Sequence, residues 1–221
     1  MSRLASVPGW LLTAVWILVP VVAISALVFA LGGGDDEEPA ADGGPPVMGA
    51  SGVDVQTSSL QQRRERAGIA DCSALPTSAA PADDGLPALA LPCLGGTGDV
   101  DLSTLEGPLV LNVWAQTCGP CRDEMPLFQQ LHRSVDGLTV LGVDYLDLQP
   151  QLALDFAGRA GVTYPSLADV DDRLGPALRL QALPTTVFVD ADGSVVATEA
   201  REFTSYDELT TAVEQHLGVE G

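Results

Sequence analysis

Leu109-Val110-Leu111-Asn112-Val113-Trp114, followed after three residues by Cys118-Gly119-Pro120-Cys121, decides the architecture of this chain. The first run is almost entirely apolar, as a strand covered on both faces should be. The second places two thiols three residues apart at a strand-to-helix junction, where they can close into a small, reducible ring. Cys118 falls at the helix N-terminus, where unpaired N–H groups and the helix dipole favour a thiolate. Cys121 lies one turn further in and more covered. The thiolate is the reactive form, so Cys118 reads as the attacking nucleophile and Cys121 as the resolving thiol.

A C-x-x-C pair is also half of a zinc site. The other two cysteines, Cys72 and Cys93, form no second C-x-x-C knuckle, and His132 and His216 read as surface helix residues, so no metal and no organic cofactor is expected. Cys72 and Cys93 bracket a Pro/Ala/Gly-rich loop with little packing to hold it. A structural disulfide between them would remove unfolded-chain entropy worth about 3 kcal/mol. The alternatives are a second redox pair relaying electrons to Cys118 and Cys121, or two unpaired buried thiols.

Working outward, Val100-Asp101-Leu102 reads as a short strand before the turn Glu106-Gly107-Pro108. A helix is expected from Cys118 to Arg133, kinked by Pro126. A buried strand over Leu138–Asp144, a helix over Gln149–Arg159, a short strand at Ser166–Ala168 and a helix over Arg173–Leu180 follow. Thr186–Val189 and Ser194–Thr198 flank the turn Asp190-Ala191-Asp192-Gly193 as a hairpin. The last helix, Tyr206–Leu217, carries Ser205 and Glu208 as a capping box. This order gives an α/β sandwich around a mixed sheet.

At the other end, Trp10 to Leu31 is uncharged and matches the roughly 20 residues that cross a bilayer core. Arg3 precedes it and Asp35-Asp36-Glu37-Glu38 follows, an orientation that exports everything beyond it. Residues 1–9 are then cytoplasmic and 10–31 a transmembrane helix or, alternatively, a cleaved signal peptide. Residues 32–70 read as a flexible acidic linker with a short helix over Leu60–Ile69, and 71–221 as the folded domain. The 221-residue chain has 30 acids against 10 basic residues, all arginine. That balance repels phosphate backbones and argues against nucleic-acid binding.

Asn112-Val113-Trp114-Ala115, Cys118-Gly119-Pro120-Cys121-Arg122, Glu124-Met125-Pro126 and Leu183-Pro184-Thr185-Thr186-Val187-Phe188-Val189 together resemble the thioredoxin superfamily. They are most similar to its membrane-anchored TlpA/ResA-like thiol-disulfide oxidoreductases, over about residues 86–217. The resemblance implies a redoxin domain with an inserted helix-strand element and a cis Pro184 facing Cys118. Leu183 would then pair with an extended substrate strand. It also implies protein thiols and disulfides as substrates, apocytochrome c among them, and a membrane electron donor. Asn112 stands where thioredoxins carry a buried acid that helps deprotonate the resolving thiol; Asp101, on the neighbouring strand and matching a position where this branch carries an acid, is either its substitute or a plain surface aspartate. Thr117 replaces the usual tryptophan before Cys118, and the Gly119-Pro120 dipeptide resembles reducing members. An oxidant of folding proteins, or a non-catalytic binding module, are the other readings. A thiol peroxidase would want a threonine three residues before Cys118, where this chain has Ala115.

Overall fold

The computed structural model describes residues 51–77 and 80–220. The expected transmembrane segment and residues 32–50 of the linker lie outside them. Among the described residues no helix is long and apolar enough to cross a membrane.

The elements in chain order are α1 (Ser58–Ala67), β1 (Ala90–Pro92), β2 (Asp99–Asp101), β3 (Leu109–Trp114), α2 (Gly119–Ser134), β4 (Thr139–Tyr145), α3 (Pro150–Arg159), β5 (Ser166–Asp169), α4 (Leu174–Leu178), β6 (Thr185–Val189), β7 (Val195–Glu199) and α5 (Tyr206–Leu217). Five strands form the central sheet in the order β5-β4-β3-β6-β7. β3, β4 and β5 run parallel, joined by the crossover helices α2 and α3, whereas β6 and β7 are antiparallel additions. This is the expected α/β sandwich with a mixed sheet.

β3 is central, and all six of its residues are buried. Successive side chains of a strand point to opposite faces, which divides the core in two. Val110, Trp114, Val140 and Phe188 pack with α1, α2, α3 and α5. Leu109, Leu111, Val113, Leu141, Val143 and Val187 pack on the other face, against Leu91, Leu102 and Leu174.

Two turns show why glycine is needed. Gly193 takes φ +84° in the hairpin, whose Asp190 carboxylate accepts from the Asp192 and Ser194 N–H groups. Gly107 lies so near the hairpin that a Cβ there would fall 1.7 Å from the Asp190 carbonyl oxygen.

The small sheet β1-β2 revises one expectation, that the strand carrying Asp101 neighbours β3. β2 pairs only with β1, so Asp101 is not on a strand neighbouring β3. The chain after β1 then runs along the free edge of β5, through the Cys93–Leu167 bridge and a Leu94 N–H bond to the Ser166 carbonyl. An open parallel edge is thereby covered.

The end of the expected linker is also revised. α1 starts two residues before Leu60 and is capped by Thr57. Val55, Leu60 and Ile69 are buried in the main core, and Arg63 of α1 pairs with Asp155 of α3 at 2.6 Å. Three well-spaced apolar residues suffice to dock a segment whose composition is otherwise that of a tether.

Candidate active site

The two cysteines of the 118–121 motif are joined by a disulfide. Cys118 is the N-cap of α2, with extended backbone angles, and its sulfur accepts from the Cys121 N–H at 3.2 Å. The pair is unequal in exposure: Cys118 is half-buried and Cys121 is 0 % exposed. Gly119 and Pro120 between them are exposed, so solvent reaches the ring from the Cys118 side. The Leu183–Pro184 peptide is cis, with Pro184 buried and Leu183 half-buried at the start of β6. β6 lies directly beside β3, which feeds the dithiol loop.

Beneath the dithiol lies a buried carboxyl whose role the sequence did not disclose. Glu124 follows Cys121 by one helical turn and so lies on the same side of α2, and it is 0 % exposed. Its Oε1 accepts from Asn112 Nδ2 at 2.7 Å, and its Oε2 from the Phe203 N–H at 3.2 Å. Burial pushes its pKa up to about 7, against the opposing pull of those two hydrogen bonds. Asn112, which stands in place of an acid, therefore serves the acid from α2. A signal was present: Cys121, Met125, Phe128 and Leu131 define the buried stripe of α2, and Glu124 falls within it.

Asp101 is engaged elsewhere. Its Oδ1 accepts from the N–H of Ser103 at 3.0 Å and the hydroxyl of Ser103 at 2.8 Å, capping the turn Leu102–Thr104. The two histidines are half-buried rather than on the surface. His132 meets Tyr164 edge-on, and His216 bonds Glu199 at 2.8 Å. Among the described residues no group of His, Cys, Asp or Glu is placed to hold a metal ion. Trp114 stacks on Phe156 at 5.7 Å, and the Arg122 guanidinium sits 5.3 Å over the same Phe156 ring, which fixes the outer side of α2.

The second cysteine pair is likewise bonded. Cys93 is 0 % exposed and Cys72 2 %, and the bridge ties the segment before β1 to the β5 edge.

The model of the AhpC/TSA family matches residues 82–198, more than half of the chain. The chain belongs to that family. Among its relatives, the thiol-disulfide oxidoreductase ResA of Geobacillus kaustophilus is 33% identical over 110 residues, covering 48% of this chain and 59% of that protein. The chain thus matches about three-fifths of that relative's length. The thiol:disulfide interchange protein HelX of Rhodobacter capsulatus is 32% identical over 151 residues, 66% of this chain and 82% of that protein. Among solved structures, MTB DsbF superposes with TM-score 0.53 at 31% identity, covering 59% of this chain and 98% of that one. The two curated relatives are named as a thiol-disulfide oxidoreductase and a thiol:disulfide interchange protein.

Proposed function

We propose that this chain is a membrane-tethered, extracytoplasmic thiol-disulfide oxidoreductase that reduces protein disulfides. The observation that carries the reading is the Cys118–Cys121 disulfide at the N-terminus of α2, with one sulfur reachable and the other buried. In the reduced enzyme, the Cys118 thiolate attacks a substrate disulfide. One substrate sulfur leaves as thiolate and the other forms a mixed disulfide with Cys118. Cys121 then gives up its proton and attacks Cys118 Sγ, which releases the second substrate thiolate and leaves the enzyme disulfide. Glu124 is the acceptor for that proton. With a pKa near neutrality and a position one turn from Cys121, it is a far better candidate than Asp101, whose oxygen is occupied by Ser103. Two electrons from a membrane donor, with the proton on Glu124 returned to Cys121, then reset the Cys118 thiolate and the Cys121 thiol.

The cis Leu183–Pro184 peptide, on the strand next to β3, supports Leu183 as the backbone partner of an extended substrate. Apocytochrome c during cytochrome maturation, or damaged extracytoplasmic thiols, are the substrates this class of chemistry fits. Ala115 at the position three residues before Cys118 offers no threonine to activate a peroxide, which favours disulfide exchange over peroxidase chemistry. Cys72–Cys93 serves as structure rather than as an electron relay, since both residues are almost wholly covered.

A Cys121→Ala variant tests the order of attack. It is expected to hold substrate proteins covalently on Cys118, and a Cys118→Ser control to hold none. Capture by neither variant, together with equal insulin reduction by wild type and Cys118→Ser, would refute the reading in favour of a non-catalytic module. A measured reduction potential near those of folding oxidants would reverse the direction.

A further inference from the structure

Glu124 is held from two sides, and only one of them is fixed by the sheet. Asn112 belongs to β3, but Phe203 belongs to the loop between β7 and α5. That loop has no strand partner, so something else must keep its N–H on the carboxyl. Arg201 does so from the surface. Its Nε bonds Glu199 of β7 at 2.6 Å, its NH1 bonds Glu208 of α5, and its guanidinium lies 4.3 Å over the Phe203 ring. The other Glu208 oxygen accepts from the N–H and the hydroxyl of Thr204, both at 3.0 Å. His216 bonds the second oxygen of Glu199. The Phe203 ring, buried, meets Phe128 of α2 edge-on at 6.1 Å.

We propose that Arg201 is a positioning residue: by clamping the loop between Glu199 and Glu208 it presents the Phe203 N–H to Glu124, and so sets the pH at which Cys121 resolves the mixed disulfide. The proposal rests on the reading of Glu124 as proton acceptor. Exposed ion pairs of this kind contribute little stability, so holding this cluster for stability alone would gain little. Its value lies in fixing the direction of one buried donor. A hydrogen bond to the charged form of a carboxyl favours ionisation, and the loss of that bond raises the pH at which the carboxyl can accept a proton. The groups facing Glu124 are few. They are Cys121 on its own helix, Asn112 of β3, Tyr164 ahead of β5, and Arg201 and Glu202 of the loop. Of these, Arg201 carries the only positive charge, and it too favours the ionised carboxyl.

The test is a two-step reaction of the reduced protein with 5,5′-dithiobis(2-nitrobenzoate). Cys118 attacks the reagent and releases one thionitrobenzoate. Cys121 then attacks Cys118 Sγ and releases the second, so the second rate against pH reports the proton transfer. In Arg201→Gln, the first rate is expected to stay within about twofold of wild type. The midpoint of the second is expected to rise by about one pH unit, and the release to be roughly fivefold slower near pH 7. Arg201→Lys keeps the charge without the fork and is expected to fall between. In a Glu124→Gln background, Arg201→Gln is expected to change nothing further. A wild-type second-step profile in Arg201→Gln, with a shifted one in Glu124→Gln, overturns the clamp and leaves the proton acceptor standing. Equal slowing of the second step by Arg201→Gln with or without Glu124 also overturns it, since that marks general loosening. An unshifted profile in Glu124→Gln itself refutes the underlying reading. Should Arg201→Gln fail to fold, Glu208→Gln removes the same hold from the α5 side and is read by the same criteria.

Discussion

Replacing Glu124 by glutamine should change how the oxidised protein's stability depends on pH, and the size of the change follows from its surroundings. The carboxyl titrates at about 7 in the fold against 4.5 in an open chain. A carboxyl whose pKa is raised by folding binds its proton more tightly in the native state. Its neutral form fits well below pH 4.5, and its ionisation destabilises the fold progressively as pH climbs to 7, after which the effect levels off. The gap corresponds to about 3 kcal/mol at pH 8.5 and less than about 1 kcal/mol at pH 5. The carboxyl is buried, so solvent screening reduces these values only a little. Glutamine cannot ionise, and its altered hydrogen bonding to Asn112 and Phe203 adds an offset that is the same at every pH. Urea unfolding of the disulfide form, where neither Cys118 nor Cys121 titrates, isolates the carboxyl. The variant is expected to gain about 2–3 kcal/mol relative to wild type between pH 5 and 8.5, or several degrees in Tm for a domain this size. A difference between the two proteins that stays flat within about 0.5 kcal/mol over that range would refute the placement of an ionisable, buried Glu124.

Removing the second bridge with Cys72→Ala and Cys93→Ala together is expected to cost about 3 kcal/mol in urea unfolding while leaving insulin reduction in place; an unchanged midpoint would deny it a structural role. Asp144, wholly buried with neither carboxyl oxygen bonded, has its pKa held well above the usual range by burial and by the nearby Asp147 charge. Asp144→Asn is therefore expected to raise Tm at pH 8 more than at pH 4, and equal shifts at both would contradict that burial. Gly107→Ala would drive a methyl into the Asp190 carbonyl, a contact no rotamer relieves, at an expected cost of at least about 2 kcal/mol in thermal unfolding.

Those elements that bury a continuous apolar face were legible in the sequence. β3 and β4 read directly because strands covered on both sides leave no polar alternation, and α5 read to the residue because Ser205 caps it. Even there the capping box closes differently, since the Glu208 carboxylate reaches past Ser205 to Thr204 and Arg201. β1 was missed because a three-residue strand ending in Pro92 has no period to detect. α1 was taken for part of a tether because its docking depends on three apolar residues scattered through a polar stretch. Of the site, the dithiol was legible from its spacing and its place after β3, and the cis proline from the family resemblance of Leu183-Pro184-Thr185. The acid was not: a glutamate in a helix ordinarily reads as solvated, and only its coincidence with the buried stripe of α2 marked it. Asp101, read either as an acid for the site or as a plain surface aspartate, is an acid near the right place in sequence whose strand belongs to another sheet.

A catalyst that breaks sulfur–sulfur bonds must survive its own reactivity and that of its neighbours. The covering of Cys72 and Cys93 by the segment before β1 and by the β5 edge answers that hazard. An incoming thiolate has to approach along the axis of the bond it cleaves, and both ends of this one are closed to it. The fold thus leaves the ring of Cys118 and Cys121 within reach of an incoming thiol and keeps the bond between Cys72 and Cys93 out of it.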